Sequence, residues 1–414
     1  MESFFNKINK KSLKIENSFW KFIFENIYPI SFLLISFLAI ATRVLFLDYV
    51  SGDYVYFLEP WFDTLESNGG LLGIKAYNGN YNYPYITLMA ILTYLPVHKL
   101  QLIKFLTIAF DYVLAIACKK LVKNLTIKSK NSSLYSLVTY AIILFLPTVV
   151  LNGSYWGQCD SIYTSFIVIS LLYLIKEKYF KAFVFLGVAF SLKLQFVFVL
   201  PLYILVYISK RKFPIYYFLL IPIMDLILCL PAMIFGKSLN DCINMYFVQA
   251  GTYNYLSMIF PGVYDLILNH TASEYVEYVS GIGEAFIYFV ILLFFITFIM
   301  VVMKNIRIEK EDVLEFALWS ILVCTFFLPN MHERYLFTGD VISVIYFMTQ
   351  KDWKKIYIPI SVNAVSLYGY ARLLFGTSVF QIQTVSLLNF VVVILMTVQV
   401  SKKMLGDNCK EKQI

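Results

Sequence analysis

AFVFLGVAFSLKLQFVFVLPLYILVYIS, residues 182–209, is an apolar run interrupted once, at Lys193-Leu194-Gln195. It is bounded by Lys176, Lys178 and Lys181 on one side and by Lys210, Arg211 and Lys212 on the other. A single helix across a bilayer would leave a basic cluster on each face, against the tendency of basic loops to stay cytoplasmic. Both clusters therefore belong on one face. The run reads as two short helices forming a hairpin from the inner side, with Lys193 near its tip. An ammonium that far from either flank cannot snorkel, and burying it unpaired costs several kcal/mol. Its partner is either an internal acid, Asp225 being the carboxylate within the nearby spans, or a bound phosphate.

The composition agrees with a bilayer. Of 414 residues, 60 % are hydrophobic and 14 % charged, against roughly 25 % charged in soluble domains. Mean hydropathy is +0.72. The net charge of +8 could suit nucleic acid, but the bases sit between apolar runs and form no soluble basic face, so no nucleic-acid partner is expected. The first 21 residues carry five lysines ahead of a long apolar run without a small-residue cleavage pattern, which reads as a retained first span. Cysteines at 118, 159, 229, 242, 324 and 409 form no CxxC pair and are expected to be unpaired thiols.

Threading outward from the hairpin gives an all-α polytopic protein of about 11–13 transmembrane or re-entrant helices with an external amphipathic-helix loop. Residues 1–25 are a cytoplasmic basic N-terminus; 26–235 form a membrane module that includes the external loop 48–100. An external loop 236–282 follows, then a second membrane module 283–401 and a cytoplasmic tail 402–414. Residues 85–97 make a helix of about 20 Å, short of the roughly 30 Å hydrocarbon core, so this piece is expected to be interfacial or re-entrant. On this threading 26 of the 34 Lys and Arg are cytoplasmic. Asp53, Glu59, Asp63, Glu66, Asp160, Glu274, Glu277 and Glu333 are all external, and both termini are inside.

The ionisable residues concentrate in a few places. Gly52-Asp53 follows the first span directly, where Asp53 is either a helix cap or a functional carboxylate. Tyr54, Phe57, Pro60 and Trp61 outline an amphipathic helix with Glu59, Asp63 and Glu66 toward water. YNGNYNYPYI at 77–86 offers tyrosine faces, Tyr83 among them, that suit sugar rings as well as an interfacial belt. GSYWGQCDS at 153–161 sets Trp156, Gln158 and Asp160 before a span, polar enough for a hydroxylated substrate. PNMHERYLF at 329–337 puts His332, Glu333 and Arg334 at a membrane boundary, where an arginine fork matches phosphate oxygens. The three histidines, at 98, 270 and 332, make no metal-binding array, and neither a metal nor another cofactor is expected.

These pieces resemble the GT-C glycosyltransferases that use polyprenyl-phosphate-linked sugars, nearest the branch of dolichyl-phosphate-glucose glucosyltransferases and their bacterial relatives. The likeness rests on Gly52-Asp53, the aromatic stretch Tyr54 to Trp61, Tyr83-Pro84, Lys193 to Gln195 and His332-Glu333, and covers roughly residues 26 to 340. Leu194 separates the lysine and glutamine of the third motif, and Tyr85 stands where the family has a second proline. Those departures favour a bacterial envelope enzyme over the eukaryotic subfamily.

The resemblance implies transfer of a monosaccharide from a polyprenyl phosphate, such as undecaprenyl phosphate, to a hydroxyl of an extracytoplasmic glycan, glycolipid or wall polymer, with inversion. Asp53 would be the base, while Lys193, Arg334 and His332 would hold the donor phosphate. Tyr54, Trp61, Tyr83, Trp156, Gln158, Asp160, Gln195 and Glu333 would meet sugar or acceptor. The lipid-linked donor is then a substrate, and membrane lipids are the other partner. A lipid-linked oligosaccharide flippase or a polysaccharide polymerase is the alternative; a flippase should carry polar groups along both halves of the bilayer.

Overall fold

The computed structural model describes residues 2–251, 255–268, 280–350 and 352–405. Glu274, Glu277, part of the 236–282 loop and residues 406–414 lie outside them. Helix dominates, and the one pairing of extended segments among the described residues is two residues long. Five helices are long and apolar enough to cross a membrane: Ile27–Val44, Lys99–Leu125, Ile215–Ile234, Gly281–Met303 and Ile382–Leu405. Ser132–Phe145 and Pro147–Trp156 together make a sixth, bent by 47°. Leu146 between them is extended, at φ −60° and ψ 123°, as a residue before proline prefers.

Beside these five or six, several apolar segments form shorter helices of 10–17 residues that pack within the bundle. Val313–Phe327 is buried along all 15 of its residues. A helix apolar all round belongs at the centre of a bundle. Tyr83–Leu92 is ten residues long and buries Tyr83, Tyr85, Ile86, Met89 and Ala90 against Tyr179–Leu192 and Leu220–Ile234. It is a packed element of the bundle. The basic N-terminus, read above simply as cytoplasmic, is itself a helix, Glu2–Glu25.

The chain breaks at Lys193, which is extended at φ −158° and ψ 136° between helix Tyr179–Leu192 and the 3₁₀ turn Leu194–Val199. Helix Leu200–Lys210 then returns, opened by Pro201 in its first turn, where the missing N–H leaves no bond unmade. Lys210 and Lys212 reach Glu177 at 3.3 and 2.9 Å, and Glu177 immediately precedes the first arm. Both ends of the hairpin thus lie at one end of the bundle. Other basic segments meet there, through Ser209 Oγ donating to the Ile306 carbonyl at 2.7 Å and through the Lys403–Asp312 ion pair.

A second buried charge pair ties the first span to its neighbours. Arg43 Nε donates to Asp111 Oδ2 at 2.9 Å, Nη2 to the Leu144 carbonyl at 3.0 Å and Nη1 to the Ala39 carbonyl at 3.1 Å. Ser161 donates to the other oxygen of Asp111. Both charged side chains are at most 1 % exposed. Gly153 lies so close that a Cβ there would sit 3.1 Å from Asp111 Oδ2; alanine at this position would have to displace the carboxylate.

Removing one member of such a pair strands the other without compensation. Arg43→Met should therefore cost about 3–5 kcal/mol. The double variant Arg43→Met/Asp111→Leu should recover most of that loss. Melting of the detergent-solubilised protein, followed by size-exclusion profile against temperature, checks both.

Candidate functional site

Opposite the basic end, a cavity of about 1060 Å³ opens between the break at Lys193, the turn 328–335 and the segment following the first span. Two wide turns shape its floor. Tyr54–Leu58 and Leu151–Trp156 are π-helical, a geometry that re-aims side chains and recurs at functional sites. Gly157 follows at φ +85°, a conformation glycine adopts without strain. It reverses the chain so that the Gln158 N–H donates to the Asn152 carbonyl at 2.8 Å.

Gln158 then faces Asp53 across the cavity. Its Nε2 donates to Asp53 Oδ2 at 2.6 Å, and its Oε1 accepts from the Tyr81 hydroxyl at 3.1 Å. Tyr81 is fixed by the rings of Trp61 and Tyr85, with centroids at 5.1 and 5.3 Å. A tyrosine thus sets the amide, and the amide sets one carboxylate oxygen. The Asp53 side chain is 29 % exposed, and Oδ1 accepts no hydrogen bond from the described residues.

The cations converge on a carboxylate that the cavity does not see. Asp160 is fully buried; Lys193 Nζ pairs with its Oδ1. Its Oδ2 lies 3.7 Å from Arg334 Nε and accepts from Asn152 Nδ2 at 2.8 Å, while Asn152 also reaches the Tyr370 hydroxyl at 2.9 Å. Arg334 lies over the Trp156 ring at 5.0 Å, donates to Glu333 Oε1 at 2.9 Å and approaches Asp53 Oδ2 at 3.7 Å. The partner of Lys193 is therefore Asp160. Asp225 instead accepts from the Tyr246 hydroxyl at 2.8 Å.

His332 is placed by the short parallel pairing, in which Ser257 aligns with Met331 and Met258 with His332. Asn330, at φ +62°, turns the chain into it. His332 Nδ1 lies 3.7 Å from Glu333 Oε2. Burial works to raise the Glu333 pKa, but contact with His332 and the charge of Arg334 outweigh it and hold the carboxyl below its usual value. Burial likewise opposes the charge on Arg334, yet Tyr81, Glu333, Asp160 and Asp53 raise its pKa further above the ordinary one.

Asp53, Trp61, Gln158, Lys193, Gln195, His332, Glu333 and Arg334 all line the cavity, as a shared site requires. Four expected contacts lie elsewhere. Tyr54 is buried and its hydroxyl points to Glu59 at 3.5 Å. Tyr83 packs on Tyr77 at 6.2 Å. Trp156 is 1 % exposed beneath Arg334, and Asp160 sits behind both cations. Trp156 and Asp160 hold the cavity's charged groups in place without facing a ligand.

Tyr81, Asn152, Tyr370 and Gln249 were not singled out from the sequence. Gln249 donates to the Asn80 carbonyl at 2.8 Å and to Asn82 Oδ1 at 2.7 Å, closing one wall of the cavity. Glu59 and Asp63, expected to face water, both meet Lys99 at 2.7 Å. Among the described residues no three His, Cys, Asp or Glu side chains are placed to hold a metal.

Gln195 Oε1 is buried on the cavity wall with no hydrogen-bond partner. An acceptor left in that state costs about 1–3 kcal/mol, so the site suits a ligand that brings a donor. Fold and cavity together define a class: an all-α chain with several membrane-length apolar helices and a charged cavity at one end. No protein-family model matches the chain, and no curated protein matches it.

A carboxyl whose pKa is depressed on folding stabilises the fold above its unfolded pKa, near 4.3, and that contribution is lost as pH falls through the lower folded value. The melting-temperature difference between wild type and Glu333→Gln should therefore shrink as pH falls below the unfolded value of about 4.3 and on through the lower folded one. A pH series of thermal melts checks this.

Proposed function

We propose that this chain is a membrane glycosyltransferase of GT-C-like architecture. It moves a monosaccharide from a polyprenyl-phosphate donor to a hydroxyl of an extracytoplasmic glycan, glycolipid or wall polymer. One observation carries the reading: Asp53, Lys193, His332 and Arg334, separated by up to 280 residues, meet in a single cavity. The cavity opens at the end away from the basic loops, and the bias of such loops toward the cytoplasm supports an extracytoplasmic reading. Its volume of about 1060 Å³ is at the upper end of the roughly 300–1,000 Å³ usual for ligand sites, room for a sugar phosphate and part of an acceptor.

In this reading the acceptor oxygen attacks the anomeric carbon as the bond to phosphate oxygen breaks. The phosphate leaves with the electron pair, and the acceptor proton passes to Asp53 Oδ1. Gln158 holds Oδ2 and so keeps the free oxygen aimed into the cavity. A carboxylate is a weak base toward a resting hydroxyl, but the hydroxyl acidifies as its bond to carbon forms, so proton transfer late in the step suffices.

Lys193 and Arg334 meet the phosphate while already paired to carboxylates. Asp160 occupies one donor of an ammonium that has three, and the guanidinium has five. Donors therefore remain for phosphate oxygens, fixed in direction before the ligand arrives, which is how electrostatic stabilisation avoids reorganisation during the reaction. His332 supplies a further donor, and Gln195 accepts from a sugar hydroxyl. The concentration of cavity charges at one end favours transfer over passage of a lipid-linked sugar through the bundle.

The purified protein, supplied with individual radiolabelled polyprenyl-phosphate monosaccharides, should transfer sugar from one of them to an acceptor extract. No transfer from any such donor would remove the proposal. Asp53→Asn should lower turnover about 10²–10⁴-fold with donor affinity nearly unchanged, measured by single-turnover transfer and donor titration. Gln195→Ala should raise KM about 5- to 150-fold while leaving kcat within a few-fold, as expected of one lost ligand hydrogen bond worth about 1–3 kcal/mol.

A further inference from the structure

Helix Glu2–Glu25 joins the first span Ile27–Val44 and carries a pattern unlike any other helix of the protein. Around the helix at 3.6 residues per turn, Lys10, Lys14 and Lys21 fall within an arc of about 40°. Ile15, Phe19, Phe22 and Ile23 fall within about 100° on the other side. Ile15, Phe19 and Phe22 are 62, 56 and 58 % exposed, and Lys10, Lys11, Lys14 and Lys21 are exposed as well. Toward its end the helix adds aromatic rings, Trp20 lying 5.7 Å from Phe19 and 6.1 Å from Phe24. Such rings settle at headgroup level.

Large apolar groups left uncovered beside a row of cations fit an anionic bilayer surface. Lysine ammonium groups reach lipid phosphates while the rings enter the acyl boundary. The neighbouring span delivers the helix to that surface. Asn26, at φ −112° and ψ 19°, is a local departure from helical geometry between the two segments, with i→i−4 bonds kept on either side, Asn26 N–H to the Phe22 carbonyl at 3.1 Å and Ile30 N–H to the Asn26 carbonyl at 3.0 Å; it marks the point at which one segment can bend away from the other. A soluble acidic partner would match the lysines but would leave the aromatic face without a reason.

We propose that Glu2–Glu25 is a lipid-binding helix that docks in the headgroup layer of an anionic leaflet, with Ile15, Phe19 and Phe22 buried in the bilayer and Lys10, Lys11, Lys14 and Lys21 on lipid phosphates. The assignment is independent of the chemistry at the cavity. It makes the protein sensitive to membrane charge at the end of the bundle away from that cavity.

The test is amide hydrogen exchange on the full-length protein in nanodiscs of phosphatidylcholine alone or with phosphatidylglycerol added. Amides of residues 10–25 should exchange at least about tenfold more slowly in the anionic discs, given on the order of fivefold per basic residue near such a surface. The variant K10Q/K11Q/K14Q/K21Q should lose that protection, as should Phe19→Ser/Phe22→Ser, with exchange in Lys99–Leu125 unchanged throughout. Equal exchange in the two lipids would overturn the proposal. So would protection that survives in either variant, or protection that appears only when a protein extract is added.

Discussion

A cation held mostly out of water must find its counter-charge where it stands, and the arrangement around Lys193, with only 10 % of its side chain exposed, follows from that requirement. Asp160 meets it from the start of a neighbouring helix, and Arg334 approaches the same carboxylate from a third segment. Each contact fixes the height of one element relative to another. The hairpin tip, the turn after Val313–Phe327 and the reversal at Gly157 cannot shift independently without stranding a charge in low dielectric. Asp53 then enters through Gln158, which shares that reversal.

The same logic recurs at Arg43 and Asp111, with no cavity beside them. There the side chains are almost completely enclosed and the guanidinium is spent on a carboxylate and two backbone carbonyls. The contrast separates two uses of buried charge. Around Arg43 every guanidinium nitrogen is bonded inside the protein and the outcome is packing. Around Lys193 and Arg334 donors remain, and an unpaired Gln195 acceptor faces the same cavity.

Much of this could be read from the chain because charge in an apolar run is costly enough to be conspicuous. Lys193 announced both the hairpin and a partner, and the order Asp53, Lys193, His332 to Arg334 was enough to expect one site. The identity of the partner was not legible. Asp225 is flanked by apolar residues within a span, whereas Asp160 reads as a loop acid until the turn at Gly157 folds it inward. Tyr81 stood out only as one of several tyrosines in 77–86, and Asn152, Tyr370 and Gln249 gave no signal, since uncharged polar residues near helix ends are common and only contact reveals their use. Arg43 and Asp111 stand in the sequence as opposite charges in consecutive spans. Hydropathy does not distinguish lipid from surrounding protein, so the sequence could not show that Val313–Phe327 is enclosed by other helices while helices such as Ile27–Val44 are long and apolar enough to cross a membrane.

The pairing of Ser257 and Met258 with Met331 and His332 is only two residues long, yet it joins segments more than 70 positions apart. Asn330 adds bonds to the carbonyls of Tyr255 and Leu256 at 3.1 and 3.3 Å. His332 is thereby yoked to the stretch that leads out of helix Leu239–Gly251. A tug on that stretch, from whatever docks against it, would be felt at the imidazole as a change of position.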